Sequence, residues 1–161
     1  MKKFVTECVV ALLMLIATVS HAQNPTTMGT DFWVAYLDLR SLNDLHLLSF
    51  FADTSGTVYI MNPTTGWTDT VSVAASTESR YTVPSVQVVH NTSDVVDGKG
   101  LYVHSTMPMS VYAYNKDTEL SSMDGTQILP VGSLGCQYVV STYPATTDVS
   151  ASDRSSFVVM A

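Results

Sequence analysis

Charge is scarce in this 161-residue chain. Only 13% of the residues are Asp, Glu, Lys or Arg, and the 7 basic ones are outnumbered by 14 acidic ones, for a formal net charge of −7. So few cations exclude the basic face that a nucleic acid requires. The acidic residues are spread along the chain rather than clustered, which gives a well-solvated surface and calls for no special partner. Cysteine is nearly absent: Cys8 lies in an N-terminal apolar segment and Cys136 stands alone in the rest. An exported form therefore has no internal disulfide. Cys136 is expected as a small buried hydrophobe, with pairing to another chain as the alternative. The apolar run from Val9 to Val19 is shorter than the roughly 20 residues of a membrane helix, and no later stretch is long enough to span one. Helical periodicity is missing as well, Leu37 to Leu48 being the nearest candidate.

The apolar run has a different explanation. Lys2 and Lys3 precede it, and Ser20 and Ala22 follow it at the −3 and −1 positions of a peptidase site. Residues 1–22 are expected to be a secretory signal peptide, cleaved after Ala22. Cys8 comes too early to be a lipoprotein cysteine. The segment removed holds Lys2, Lys3 and Glu7, leaving roughly −8 on residues 23–161. That length suits one domain with a real core.

What those residues do contain is the alternation of half-buried strands. Asp31 to Leu37 is aromatic and β-rich, and Leu45 to Ala52 is a second apolar run. In Gly56 to Asn62, Val58 and Ile60 share one face while Tyr59 and Met61 share the other. Asn62-Pro63-Thr64-Thr65-Gly66 is turn chemistry. Thr70 to Ala74 alternates, and Tyr81-Thr82-Val83 stops at Pro84. Gly100 to Ser105 and Ser110 to Asn115 read as two strands separated at Met107-Pro108, and Asp117 to Gly125 reads as a loop. Further strands are expected at Ile128 to Val131, Gln137 to Tyr143 and Ser155 onward. The sequence ends at Ala161 within or just after an apolar run, as the front part of a longer protein would; a strand ending there would leave an edge in need of a partner.

Constellations that carry chemistry are thin. His46, His90 and His104 lack metal-ligand spacing, and zinc needs three or four converging ligands. Ser133 in Val131-Gly132-Ser133-Leu134-Gly135 is the nearest approach to a nucleophile elbow, with the wrong flanks. Cys136 with His104 could form a dyad, but no basic neighbour in the sequence would activate the thiol. Asp94 to Gly100 does not meet the calcium-loop pattern and carries Lys99, so a plain Asp-Gly turn is expected. Asn91-Thr92-Ser93 is an N-glycosylation sequon, and Asp69-Thr70-Val71 fits a short bacterial O-glycosylation pattern. Among the aromatics Trp33, Tyr36, Trp67, Tyr112, Tyr114 and Tyr143, most are expected in the core. Trp67, beside Gly66 at a turn, is the candidate for exposure and ligand contact.

Three stretches together resemble the N-terminal domain family of the IgG Fc-binding protein, which also occurs in secreted Bacteroidetes proteins. They are Gly29 to Tyr36, Pro108 to Asn115, and Leu129-Pro130-Val131-Gly132-Ser133-Leu134-Gly135-Cys136-Gln137-Tyr138-Val139-Val140-Ser141. The last is the most specific, and Cys136 departs from the polar residue usual there. The likeness spans most of residues 23–161, in family order, and covers the front half of the family domain. It implies a β-rich exterior module used for binding or display, and no catalytic residue; binding of antibody Fc is not transferred.

The expectation is thus an all-β, antiparallel β-sandwich-like module at residues 23–161, after a cleaved signal peptide. It would be secreted or held at the outer cell surface, take no cofactor or metal, and act in adhesion or binding rather than catalysis. Its partner would be a protein or glycan outside the cell, with further domains of the same chain beyond it. A carbohydrate-binding accessory module, an enzyme fragment and a structural spacer are the alternatives.

Overall fold

A computed structural model describes residues 26–37, 44–92, 94–118, 123–140 and 157–160. The expected signal peptide lies outside the described residues, as does Tyr143. Nine strands follow one another: β1 (Gly29–Val34), β2 (Tyr36–Leu37), β3 (Asp44–Ala52), β4 (Gly56–Asn62), β5 (Trp67–Val73), β6 (Ser79–Val83), β7 (Val89–His90), β8 (Leu101–Asp117) and β9 (Met123–Ile128). Two short 3-10 turns, at Ser85–Gln87 and Val131–Ser133, are the only helical pieces among the described residues. The chain is all-β, as its alternation requires.

The central element is β8. Its odd-numbered residues from Leu101 to Ala113 are buried, while its even-numbered ones face outward. Each part of it serves different neighbours. Leu101 to Ser105 lie between β1 and β4, and Met109 to Asp117 lie between β3 and β9, all antiparallel. On one side, β3 runs directly into β4, so the two form one interrupted ribbon along β8. Beyond them, β5 pairs with β4 and β6 with β3 in the same way. The result is a sheet folded across its middle. One half, with strand order β5-β4-β8-β1, carries Trp33. The other, β6-β3-β8-β9, carries Phe51. The two halves form a barrel- or sandwich-like arrangement around one core.

The fold line is built from residues that fit a corner. The β4 ladder ends at Ser105, the β3 ladder begins at Met109, and β1 skips the residues between. Pro108, which has no N–H to give, therefore sits where no ladder bond is needed, and β8 continues through it. This corrects the expected break into two strands. Gly56 opens β4 at the same level, where a Cβ would lie 2.0 Å from the Met107 sulfur, so that a larger residue there would have to displace the Met107 side chain. Ser76 N donates to the Ala52 carbonyl at 2.8 Å, tying the β5–β6 corner to the β3–β4 corner.

Phe32, Val34, Val58, Ile60, Leu101 and Val103 bring one half to the core, and Leu48, Phe50, Val111 and Ala113 bring the other. Burying each large side chain contributes about 1.5–3 kcal/mol. A small parallel pair, β2 with β7, closes one end, where the Tyr36 hydroxyl donates to the Leu47 carbonyl at 2.8 Å. Asn62 is fully buried there. Its amide nitrogen donates to the carbonyls of Gly98 (2.7 Å) and Gln87 (3.1 Å), and its Oδ1 accepts from the amides of Thr64 and Thr65. One side chain thus fixes the β4–β5 turn and the strand-free segment before β8. Gly66 completes that turn at φ +75°, a conformation that costs other residues more.

Several expectations are corrected. Asp44 to Leu48, the described end of the candidate helix, is strand, because His46, Leu48, Phe50 and Ala52 bury at period two rather than 3.6. Met123 to Gly125 belong to β9, not to a loop, since they pair with Tyr114 to Lys116. Val131 to Ser133 form a 3-10 turn, and Gln137 to Val140 and Phe157 to Met160 are in no strand. Cys136 is exposed rather than buried; its segment joins no ladder and so contributes nothing to the core.

Candidate functional site

Parity along the strands decides which side chains leave the core. In the Trp33 half, burial of Phe32, Val34, Val58, Ile60, Leu101 and Val103 forces Asp31, Trp33, Tyr59, Tyr102 and His104 onto the outer face. The ladders bring these residues into register. Trp33 faces Tyr102, Asp31 faces His104, and Tyr59 flanks His104 from the other side.

Four rings consequently form a zigzag across three strands. Trp33 and Tyr102 have centroids 5.2 Å apart with planes tilted by 50°, and Tyr59 stacks on His104 at 6.2 Å and 23°. Neither geometry is a face-to-face sandwich, in keeping with ring quadrupoles. Trp33 is 39% exposed and Tyr59 41%.

Asp31 holds the two inner rings. Its Oδ1 accepts from the Tyr102 hydroxyl and lies 2.9 Å from Nδ1 of His104, and its Oδ2 accepts from the Thr30 hydroxyl at 2.5 Å. These bonds, Thr30 first, then Tyr102 and His104, lower the Asp31 pKa from 3.8 to about 2. The carboxylate is ionised at any ordinary pH, and the Tyr102 hydroxyl is held protonated by the same contact. In the neutral tautomer that donates through Nδ1, His104 Nε2 is an acceptor directed away from the carboxylate. The Trp33 N–H, the Tyr59 hydroxyl and His104 Nε2 make no hydrogen bond with the described residues. On β5, Thr70 lies across from Tyr59 and Thr68 across from Met61, so exposed hydroxyls extend the same face.

The outer face of the Phe51 half differs in character. Phe51 meets Tyr112 edge-on at 5.7 Å, Tyr112 stacks on Tyr114 at 6.5 Å, and Leu45 and Met123 are exposed beside them. It also carries charge: Arg80 pairs with Glu78 at 2.7 Å, and Lys116 is exposed.

Among the residues singled out from sequence, Trp67 is half-buried and packs against the core, so the turn does not expose it. Tyr36 is buried as expected. Trp33, expected in the core, faces outward, and so do Tyr112 and Tyr114. His46 is buried beside Tyr36 and its Nδ1 lies 3.1 Å from the Ser85 hydroxyl. His90 pairs with Asp97 at 2.7 Å beneath the 91–100 loop. The three histidines are thus dispersed, and among the described residues no group of three potential ligands converges. Asp69 accepts from the Tyr81 hydroxyl at 2.5 Å and from the Thr70 amide, which ties β5 to β6, two strands that do not pair.

The sequence reading missed Asp31, Tyr59, Tyr102 and His104 as a group. The usable signal was parity: each stands next to an aliphatic or aromatic core residue on a strand that had been recognised. Comparison with family models, with curated proteins and with solved structures finds no match to this chain.

Proposed function

We propose that this protein is a non-catalytic binding module of the cell exterior, and that it engages its ligand through the outer face of the Trp33 half. The observation that carries the reading is the Asp31-centred lock on Tyr102 and His104, beside two open rings. Core packing does not require it, since all these side chains point away from the core. A face already held in one arrangement binds with little ordering cost. Large amphipathic rings supply contact area at low entropic cost.

The pair Asp31–His104 also resembles two members of a catalytic triad. Here the neighbouring hydroxyls, Thr30 and Tyr102, donate to the carboxylate rather than to the imidazole. No nucleophile is therefore hydrogen-bonded to His104 among the described residues, which favours binding over acyl transfer. The resemblance to the IgG Fc-binding family and the leader-like N-terminus support an exterior location.

The test is binding of immobilised full-length chain, expressed with its own leader, to purified exterior ligands: a glycan panel, mucin, collagen, fibronectin and immunoglobulin G. Saturable binding to one of them, lost in the Trp33→Ala/Tyr59→Ala double variant, is the expected result. Absence of binding to the whole panel would leave a structural spacer as the better description.

A further inference from the structure

We infer that the outer face of the Trp33 half is a saccharide platform, and that its ligand is a neutral oligosaccharide longer than one ring. The inference rests on the binding-module reading above and names its ligand class. A pyranose presents C–H bonds on its faces and hydroxyls around its rim. It is recognised by open π-faces interleaved with fixed hydrogen-bonding groups. Trp33 and Tyr59 offer exposed rings, each set beside a partner ring on the neighbouring strand. His104 Nε2 offers an acceptor, and the Trp33 N–H offers a donor.

Charge points the same way. The one ionised group of the cluster, Asp31, keeps its negative charge, but its oxygens are already engaged by three polar partners, which leaves them little room to coordinate a cation. No Lys or Arg belongs to it, so an anionic ligand finds no partner. The outward neighbours on β5, Thr68 and Thr70, are neutral hydroxyls. The outer face of the Phe51 half differs in carrying Arg80, Glu78 and Lys116 beside its exposed apolar residues.

Spacing sets the ligand's length. Trp33 and Tyr59 lie two strands and two residues apart, on the order of 12 Å between Cα atoms by ordinary sheet geometry. One sugar ring cannot cover both. Affinity should therefore rise steeply from a monosaccharide to a short oligosaccharide and level off once both rings are covered.

The experiment is a broad array of plant, fungal, bacterial and animal glycans probed with the full-length chain. Any hit is followed by titration of the matching soluble oligosaccharides, one to six units long, monitored by tryptophan fluorescence. The expected result is at least one hit, with affinity falling about tenfold or more in Trp33→Ala and in Tyr59→Ala. Trp33→Phe, which keeps a ring, should retain most of the affinity, and Phe51→Ala on the opposite face should retain all of it. Circular dichroism of each variant checks that it has kept its fold. A silent array, or binding indifferent to Trp33 and Tyr59, overturns the saccharide assignment. If the array is silent but a protein ligand is lost in the double variant, the binding-module reading stands and only the ligand class falls.

Discussion

Asp31 on β1 lies directly across the ladder from His104 on β8, with Oδ1 and Nδ1 2.9 Å apart, and the same oxygen takes the Tyr102 hydroxyl. A single carboxylate therefore sets the orientation of two rings on the exposed face. Because its folded-state pKa is lowered, Asp31 stabilises the fold above its unfolded value of 3.8, and that contribution fades as the pH falls toward about 2. Asp31→Asn should lower stability by about 1 kcal/mol near neutrality, a modest figure for a partly exposed group. Thermal melts of both proteins from pH 7 to pH 2 check the sign. The gap should shrink as the pH falls from about 5 toward 2; a gap that widened over that interval would contradict the assignment.

Asn62 joins three segments through one fully buried amide. Asn62→Ala leaves the Gly98 and Gln87 carbonyls and two turn amides without that partner. The expected loss is about 2–4 kcal/mol, measured by urea denaturation. Asn62→Asp removes the amide donor but keeps the acceptor for the turn. It should fall in between when the new carboxyl is protonated and be worse when it is ionised.

Both tryptophans, Trp33 and Trp67, lie in the same half of the folded sheet. Tryptophan fluorescence therefore reports on that half alone. Phe50→Ala, placed in the other half but in the shared core, should cost about 3–5 kcal/mol and shift the fluorescence and far-ultraviolet dichroism transitions together. Fluorescence that stayed at the wild-type midpoint while dichroism moved would mean that the halves unfold independently.

Cys136 is exposed. It should react fully with a thiol reagent in native buffer, without denaturant. Protection that disappears only on unfolding would show that the segment around it is covered.

Much of this architecture is legible in the sequence, and the limits have physical causes. Gly56 to Asn62 matches β4 residue for residue, because strict alternation, a glycine corner and an Asx turn all act locally there. The continuity of β8 was hidden by Pro108, which reads as a breaker unless one knows that both ladders change partners at that point. Val131 and Gln137 to Val140 looked like strand because their residues favour strands, yet strand formation depends on a ladder partner that composition does not reveal. The aromatic face failed for a related reason. Trp33 and Tyr112 stand in alternating strands, and alternation tells which residues share a side without telling which side is inside. That choice becomes clear only when Phe32, Val58 and Val103 are seen to meet Phe50 and Val111 in one core. His104 and Asp31, 73 positions apart, are joined by register alone.

The sharing of β8 among four strands has a consequence for the order of events during synthesis. Until residues 101–117 are available, β1 has no ladder partner, and β3 and β4 each have only an outer neighbour. The hairpin of β4 and β5 and the nearby pairing of β3 with β6 can form early, but they present open inner edges. Long-range pairing of this kind slows folding and prolongs exposure of such edges. The chain should therefore collapse late and in one step, when its longest strand arrives to fill the gap. Conditions that delay that arrival should favour pairing between neighbouring chains instead.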